Sequence, residues 1–538
     1  MSLVSYGADA DVDAGGYRRF YIRVNASASA SNTFYPARLT ESLNGPISYS
    51  GDGTSSILIS KVKISDVTNY DASYVPEYVS VGVASSPYFG AGIDGAKYFN
   101  TGWNGSPLTC LGFRVEAAAT NNLLYCRDLR YLATNRWYAT AQNSGDSEKI
   151  VNGTFPTDTS SWIASGATLS VVGGRLRIAS TGAAIGMAYQ TANLVIGKCY
   201  NVVVDTWFGT GSHRILVGNG GGSGTMFQSS AAGVASNTQI IGSFIATQVA
   251  VTLTCIQATA TLGAYAEFDN ISIKKSAVQV TQATGLDGIA NTATTLTATA
   301  ADAIILQPIT LASADRCASA YVKRRTGTGS ISFTQDGGST WTDITSQINS
   351  STWSRVEITA TLANPSVGFK ISTSGDAIDV DCVQNEAGAV ATSPIVTTTA
   401  ALTRNEDSLT YQTSGNWSDT VGTAYVEVEP LAYSGGAIGS ATNGLLLSTS
   451  NSGATAFDGT NAANGPTGTP GTSEKLALNW TGAVMEVASS ATVGTPGTYD
   501  GAMGLSNIGI GVGASGYFKN VAVYPYALSD ADMVKITT

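Results

Sequence analysis

Two kinds of residue in this chain have the chemistry to act on a ligand. Asp379 and Asp381 alternate in Ala377-Ile378-Asp379-Val380-Asp381, and in a strand that spacing puts both carboxylates on one face. Paired carboxylates are what glycoside hydrolysis uses, one as acid and the other as base or nucleophile, although a salt-bridged or solvated strand face is the plainer reading. The one histidine, in Gly211-Ser212-His213-Arg214, has no serine-centred elbow beside it and reads as a turn residue at a strand start rather than a general base. Gly218-Asn219-Gly220-Gly221-Gly222-Ser223-Gly224 is followed by no Lys-Ser/Thr and no helix signal, so it reads as a loop and not a phosphate cradle. Nothing here assembles into a catalytic constellation, and the expectation is a protein that is not an enzyme.

Aromatic rings offer the second chemistry. An exposed ring stacks on the apolar face of a pyranose while nearby amide and carboxylate groups hold its hydroxyls. The candidates are Trp207, Phe227 and Tyr265 in the middle of the chain and Trp417, Tyr425 and Trp480 near its end. Each could equally fill a core, and the sequence does not say which rings face outward.

The 38 acidic residues outnumber the 28 basic ones, for a net charge of -10, which argues against a nucleic-acid partner because phosphate binding needs clustered cations. The dense basic run Lys323-Arg324-Arg325 precedes Thr326-Gly327-Thr328-Gly329 and reads as a solvated hairpin. No run of eighteen apolar residues is present and the start lacks a signal-peptide pattern, so membrane insertion and secretory export are not expected. The six cysteines, at 110, 126, 199, 255, 317 and 382, include no C-x-x-C pair. A sulfur-based zinc site is therefore not expected. Disulfides Cys199–Cys255 and Cys317–Cys382 are conceivable, but buried free thiols are favoured for a chain made in a reducing cytosol.

The elements that must position these residues are strands. Charged residues are only 12% of the chain and Gly reaches 60, a composition suited to short strands and tight turns. The expected fold class is all-β: a multidomain chain of β-sandwiches with one sandwich inserted into another. Residues 1–64 form an N-terminal β region, with strands at Phe20–Val24 and Ser56–Ser60, and 65–109 an aromatic-rich extended connector. Residues 110–147 plus 276–397 make a discontinuous sandwich, 148–275 the sandwich inserted into it, and 398–538 a last sandwich. Inside the insert, Leu169-Ser170-Val171-Val172-Gly173-Gly174-Arg175-Leu176-Arg177-Ile178 is a hairpin pattern, and Asp336-Gly337-Gly338 marks another turn in the parent. Thr423 to Glu429 alternates with Ala424, Val426 and Val428 inward. Ser529, three before Asp532, is a helix N-cap, and the Gly-, Asn- and Thr-rich span 451–472 reads as a long exposed loop.

Asn152-Gly153-Thr154-Phe155 with Trp162, and Phe268-Asp269-Asn270-Ile271-Ser272 at the far end of the insert, resemble the edges of jelly-roll carbohydrate-binding modules. That resemblance implies a structural Ca2+ where first and last strands meet, with Asp269 as the metal position; Pro156 and Thr157 stand where the family has an acidic residue. Residues Leu111 to Tyr125, Ala318 to Arg324 and Val383 to Ile395, with Glu386-Ala387-Gly388 the closest match, resemble segments of bacteriophage tail and fibre proteins. Gly516 to Asp532 resembles the last strand and helix of laminin-G/concanavalin-like sandwiches. Together these imply a structural protein of a virion, assembled in the host cytoplasm. It would be a tail or head fibre that docks to other virion proteins through its N-terminal region, forms a homotrimer, and adheres to a host cell-surface glycan. A capsid or tail decoration protein without glycan binding, and a polysaccharide depolymerase, are the alternatives.

Overall fold

The computed structural model describes residues 2–8, 20–25 and 113–538, except 131–135, 208, 231–236, 416 and 449–452. The chain divides into two units, Met1–Tyr88 and Phe89–Thr538. In the first, Ser2–Ala8 pairs antiparallel with Phe20–Asn25. The strand expected at Ser56–Ser60 and the connector 65–109 lie outside the described residues.

The second unit is three stacked-sheet bodies built almost wholly from antiparallel strands. In the inserted sandwich, one five-stranded sheet runs in the order Thr238–Ile245, Cys199–Trp207, Tyr265–Lys275, Arg175–Ser180, Ala167–Val172. The other runs Phe227–Gln228, His213–Gly218, Ala250–Gln257, Gly186–Asn193, Ile163–Ser165. The expected hairpin closes through Gly173 and Gly174, both at positive φ (59° and 77°), the backbone that a two-residue turn matching strand twist requires. Apolar residues at every second position, such as Leu176, Ile178, Val202, Val204, Phe268 and Ile273, meet between the sheets fully buried.

The parent sandwich is built by both flanks of the insert. Tyr138–Ala139, before the insertion, pairs with Ala303–Pro308, after it, and Leu123, Leu129 and Trp137 share one core with Leu296, Phe333, Phe369 and Val380. The insert's entry and exit run side by side: Asn143 N donates to Lys275 O (2.7 Å), and Gln142 bridges Ser276. Contact between the two bodies continues in buried polar bonds, Asn201 Nδ2 to Ala139 O (2.6 Å) and Ala139 N to Ser243 Oγ (2.9 Å). Cys199, from the insert, packs into the parent core while Cys255 lies in the insert core. All five described cysteines are buried free thiols.

The last sandwich pairs a six-stranded with a seven-stranded sheet. Three expectations change, two in this sandwich and one in the parent. Phe113–Val115, expected to belong to the parent, is instead the edge strand of the last sandwich, paired with Gly516–Phe518. Three residues are too few to show a period, so only the tertiary partner fixes their place. The span 451–472, expected as a loop, contains the antiparallel pair Gly453–Phe457 and Ala462–Thr467. Its small residues serve close sheet packing, and Asp458 organises its turn by accepting from Thr460 N and Asn461 N. The basic run Lys323-Arg324-Arg325 is no free hairpin: it lies in Ala314–Thr326, where Arg324 pairs with Asp376 and both Lys323 and Arg325 pair with Asp379. The alternation of Thr423 to Glu429 holds, with Ala424, Val426 and Val428 fully buried, and Ser529 caps Asp530–Thr537 by accepting from Asp532 N.

Where the parent meets the last sandwich, the chain buries charge. Glu116, 1% exposed, pairs with Arg114 (3.0 Å) and Arg404 (3.4 Å) and accepts from Ser393 N and the Ser393 hydroxyl. Such a group is held because its lone pairs are filled, since desolvating a carboxylate without partners costs several kcal/mol.

Candidate functional site

The outer face of the insert's first sheet gathers aromatic and charged side chains from three neighbouring strands. Alternation puts Trp207 and Asp205, Tyr265, Glu267 and Asp269, and Arg175 and Arg177 outward on three neighbouring strands. Register aligns them: Trp207 opposes Glu267, Glu267 opposes Arg177, and Asp205 opposes Asp269. Tyr265 lies two residues along from Glu267, so Trp207 and Tyr265 have a diagonal Cα spacing of about 7–8 Å.

Glu267 is the hub of this face. It accepts from Arg175 Nη1 (3.2 Å) and from Arg177 Nε and Nη2 (2.9 and 2.7 Å). Each arginine then lies over a ring: the Arg175 guanidinium is 4.5 Å from the Trp207 centroid and that of Arg177 is 4.1 Å from Tyr265. The result is a continuous band, Trp207–Arg175–Glu267–Arg177–Tyr265, in which cation–π contact and charge-assisted hydrogen bonds fix both rings. Both rings stay partly exposed. Gln239 and Asn270 donate to the two oxygens of Asp205, each at 2.8 Å. Arg175, Arg177 and Glu267 were legible as outward positions of the Arg175–Ile178 and Tyr265–Asp269 alternation, but charged residues on a strand face carry no signal that sets them apart until register brings them together.

Asp269 sits at the edge of this band. Its carboxyl is held above the ordinary range, first by burial and also by nearby Asp205, against the opposing pull of the Asn270 backbone N–H and Arg175. Oδ1 is buried without a hydrogen-bond partner. A calcium ion takes six to eight oxygen ligands, whereas here Asp269 has a guanidinium as neighbour and the Asp205 oxygens already accept amide N–H groups. Among the described residues no three His, Cys, Asp or Glu side chains gather to hold a metal. These residues do not fit a calcium site.

The other ring candidates divide by burial. Phe227, 4% exposed, is a core residue and not a platform: its ring lies against Gly242, where a Cβ would stand 2.3 Å from it. Its strand is only two residues long, too short to reveal its inward face. Trp480, 1% exposed, is likewise sealed, with Nε1 donating to Ser418 O (2.8 Å) and Trp417 stacked on it at 4.4 Å. Tyr425 is partly buried against the cluster of Ala477, Ala488 and the helix residue Met533. Trp417 also lines a cleft of about 550 Å³ with Tyr411, Ile508, Ile510, Val521 and Pro525. Its wall is aliphatic at Ile508, Ile510, Val521, Ala522, Val523 and Pro525, and its polar side chains are Tyr411, Trp417 and Ser418.

The carboxylate pair is structural. Asp379 accepts from Arg325 and Thr295, and Asp381, fully buried, accepts from Arg127 Nε and Nη2, Leu286 N and Cys382 N. Both carboxylates thus serve as acceptors within the parent sandwich, one beside Arg325 and the other beside Arg127.

His213 opens the strand His213–Gly218, as expected, but it is buried: it is 2% exposed, edge-on to Phe268 (6.0 Å), with Nε2 unpartnered. Burial lowers its pKa. The unfolded chain therefore takes up the proton first as pH falls below about 6.5. The histidine contribution to stability is present above that pH and is lost as pH drops toward the lower folded value, at up to about 1.4 kcal/mol per pH unit. Thermal melts of the native chain and His213→Phe between pH 7 and 5 are expected to differ by this slope; parallel curves would contradict it.

No family model and no curated protein matches the chain. Among solved structures that match is the N-terminal CBM22-1–CBM22-2 tandem domain of Xyn10C from Paenibacillus barcinonensis, 11% identical, with a TM-score of 0.21 over 47% of this chain and 100% of that one.

Proposed function

We propose that this chain is a non-enzymatic structural protein of a bacteriophage particle. Its inserted sandwich binds a host cell-surface glycan through the Trp207–Arg175–Glu267–Arg177–Tyr265 band, and its N-terminal region docks to other virion proteins. The band is the observation that carries the binding reading: two partly exposed rings pinned on one sheet face, with carboxylate, guanidinium and amide groups between and beside them, is what pyranose recognition needs. The resemblance of residues 111–125, 318–324 and 383–395 to phage tail and fibre segments supports the virion setting. The homotrimer comes from the same resemblance. The engagement of Asp379 and Asp381 in ion pairs supports binding without cleavage.

A glycan array on the whole chain, repeated with Trp207→Ala and Tyr265→Ala, tests this. Each substitution is expected to weaken binding tenfold or more, a loss of about 1.4 kcal/mol. Binding that survives both substitutions would move the site elsewhere. No binding to any host surface glycan would favour the decoration reading, which Val195, Ile196 and Val249, exposed together at one end of the insert, support.

A further inference from the structure

The loop between Ile150 and Ile163, where the insert's first segment meets its last strand, brings many carbonyl oxygens together. Asn152, Phe155 and Ser161 all have positive φ (52°, 45° and 71°), a backbone that non-glycine residues adopt only where the surroundings hold it. Gly153 lies so close to the last strand that a Cβ would stand 2.1 Å from Ile271 O, and its own carbonyl accepts from Ile271 N (2.9 Å). In such a loop a divalent cation is one way to hold carbonyls that face one another.

Here N–H groups take those oxygens. Gln190, 6% exposed, reaches over from the second sheet: Nε2 donates to Val151 O (2.8 Å) and Ser161 O (3.2 Å), while Oε1 accepts from Val151 N (2.7 Å). Asn152 Nδ2 donates to Asp158 O (3.0 Å) and Ser160 O (3.1 Å). Trp162 Nε1 donates to Asn152 O (3.0 Å), and its ring packs on buried Phe155 at 5.7 Å. The carbonyls of 151, 152, 153, 158, 160 and 161 are thus each bound to a donor. The one carboxylate in the loop, Asp158, accepts from both Ser160 N and Asn152 Nδ2 at Oδ1.

We propose that the Gln190, Asn152 and Trp162 side chains form a metal-independent amide lock that cross-links this loop to the sandwich, in place of the calcium ion implied by the resemblance to carbohydrate-binding modules. The amide and indole N–H groups put positive ends against these carbonyls, as a bound cation would. The lock is a property of the loop's architecture and stands apart from whether the outer face binds sugar.

Calorimetry of the full chain tests it. The transition of the insert is expected at the same temperature in EDTA and in millimolar CaCl2, and terbium luminescence sensitised by Trp162 is expected to be absent. Gln190→Ala is expected to lower that transition by several degrees, and calcium is not expected to restore it. Gln190→Glu, which keeps the shape but replaces the amide donors with a carboxylate facing carbonyls, is expected to melt lower at neutral pH and to recover on acidification as the acid regains a donor. A rise of the native transition in calcium, a fall in EDTA, or Gln190→Ala melting with the native chain would overturn the proposal.

Discussion

Arg127→Met is expected to destabilise the parent sandwich by about 3–5 kcal/mol. Arg127 holds Asp381 by two hydrogen bonds, 2.8 and 2.9 Å, and reaches Asp287 at 2.8 Å. Asp381 has no exposed surface, so removing the guanidinium leaves a buried carboxylate whose charge is opposed by two backbone N–H groups and the weak Cys382 thiol donor. The position sharpens the effect, because Arg127 precedes the insertion and Asp381 follows it, and the pair ties the two halves of one core. A fall in melting temperature on the order of 10 °C corresponds to that loss for a domain of this size. Replacing both residues, Arg127→Met with Asp381→Leu, is expected to recover much of it, since an apolar pair of similar volume avoids the desolvation cost. A single substitution melting within about 2 °C of the native chain would refute the assignment.

Phe227→Ala and Trp207→Ala are expected to behave as opposites. Phe227 fills the space between the insert's sheets, and truncating it removes about 3–5 kcal/mol through lost burial and an unfilled cavity. Trp207 lies on the outside with one guanidinium over it, so its truncation costs the fold no more than about 1 kcal/mol while removing a stacking surface. Denaturant unfolding and glycan binding measured on both variants separate the roles. Loss of stability from Trp207→Ala equal to that from Phe227→Ala would mean that the outer ring is a packing residue.

Period-2 alternation and turn chemistry made much of the fold readable. Thr423 to Glu429, the Gly173-Gly174 hairpin, the Asp336 turn and the Ser529 cap each follow from local rules, and the structure keeps all four. What failed to show was whatever depends on a partner far away in the chain. Ala377–Ala387 is a central strand covered on both faces, so Asp379 and Asp381, which alternation alone would put toward solvent, are sealed beside Arg325 and Arg127. Phe113–Val115 finds its partner some four hundred residues on. At the candidate site Trp207 and Tyr265 were named from ring chemistry alone, whereas Glu267 and its two arginines needed cross-strand register to become visible. Phe227 and Trp480 were indistinguishable from these by type, and only packing separated them.

The antiparallel entry and exit of the insert have a mechanical consequence. Asn143 and Lys275 are hydrogen-bonded neighbours, with Gln142 and Ser276 bridged beside them. Tension pulled along the polypeptide therefore crosses from one side of the insertion to the other through the parent framework and performs almost no work on the 131 residues between, counted from 144 to 274. A pull along the chain would stretch the parent sandwich first and leave the outer face of the insert unloaded until the parent itself gives way.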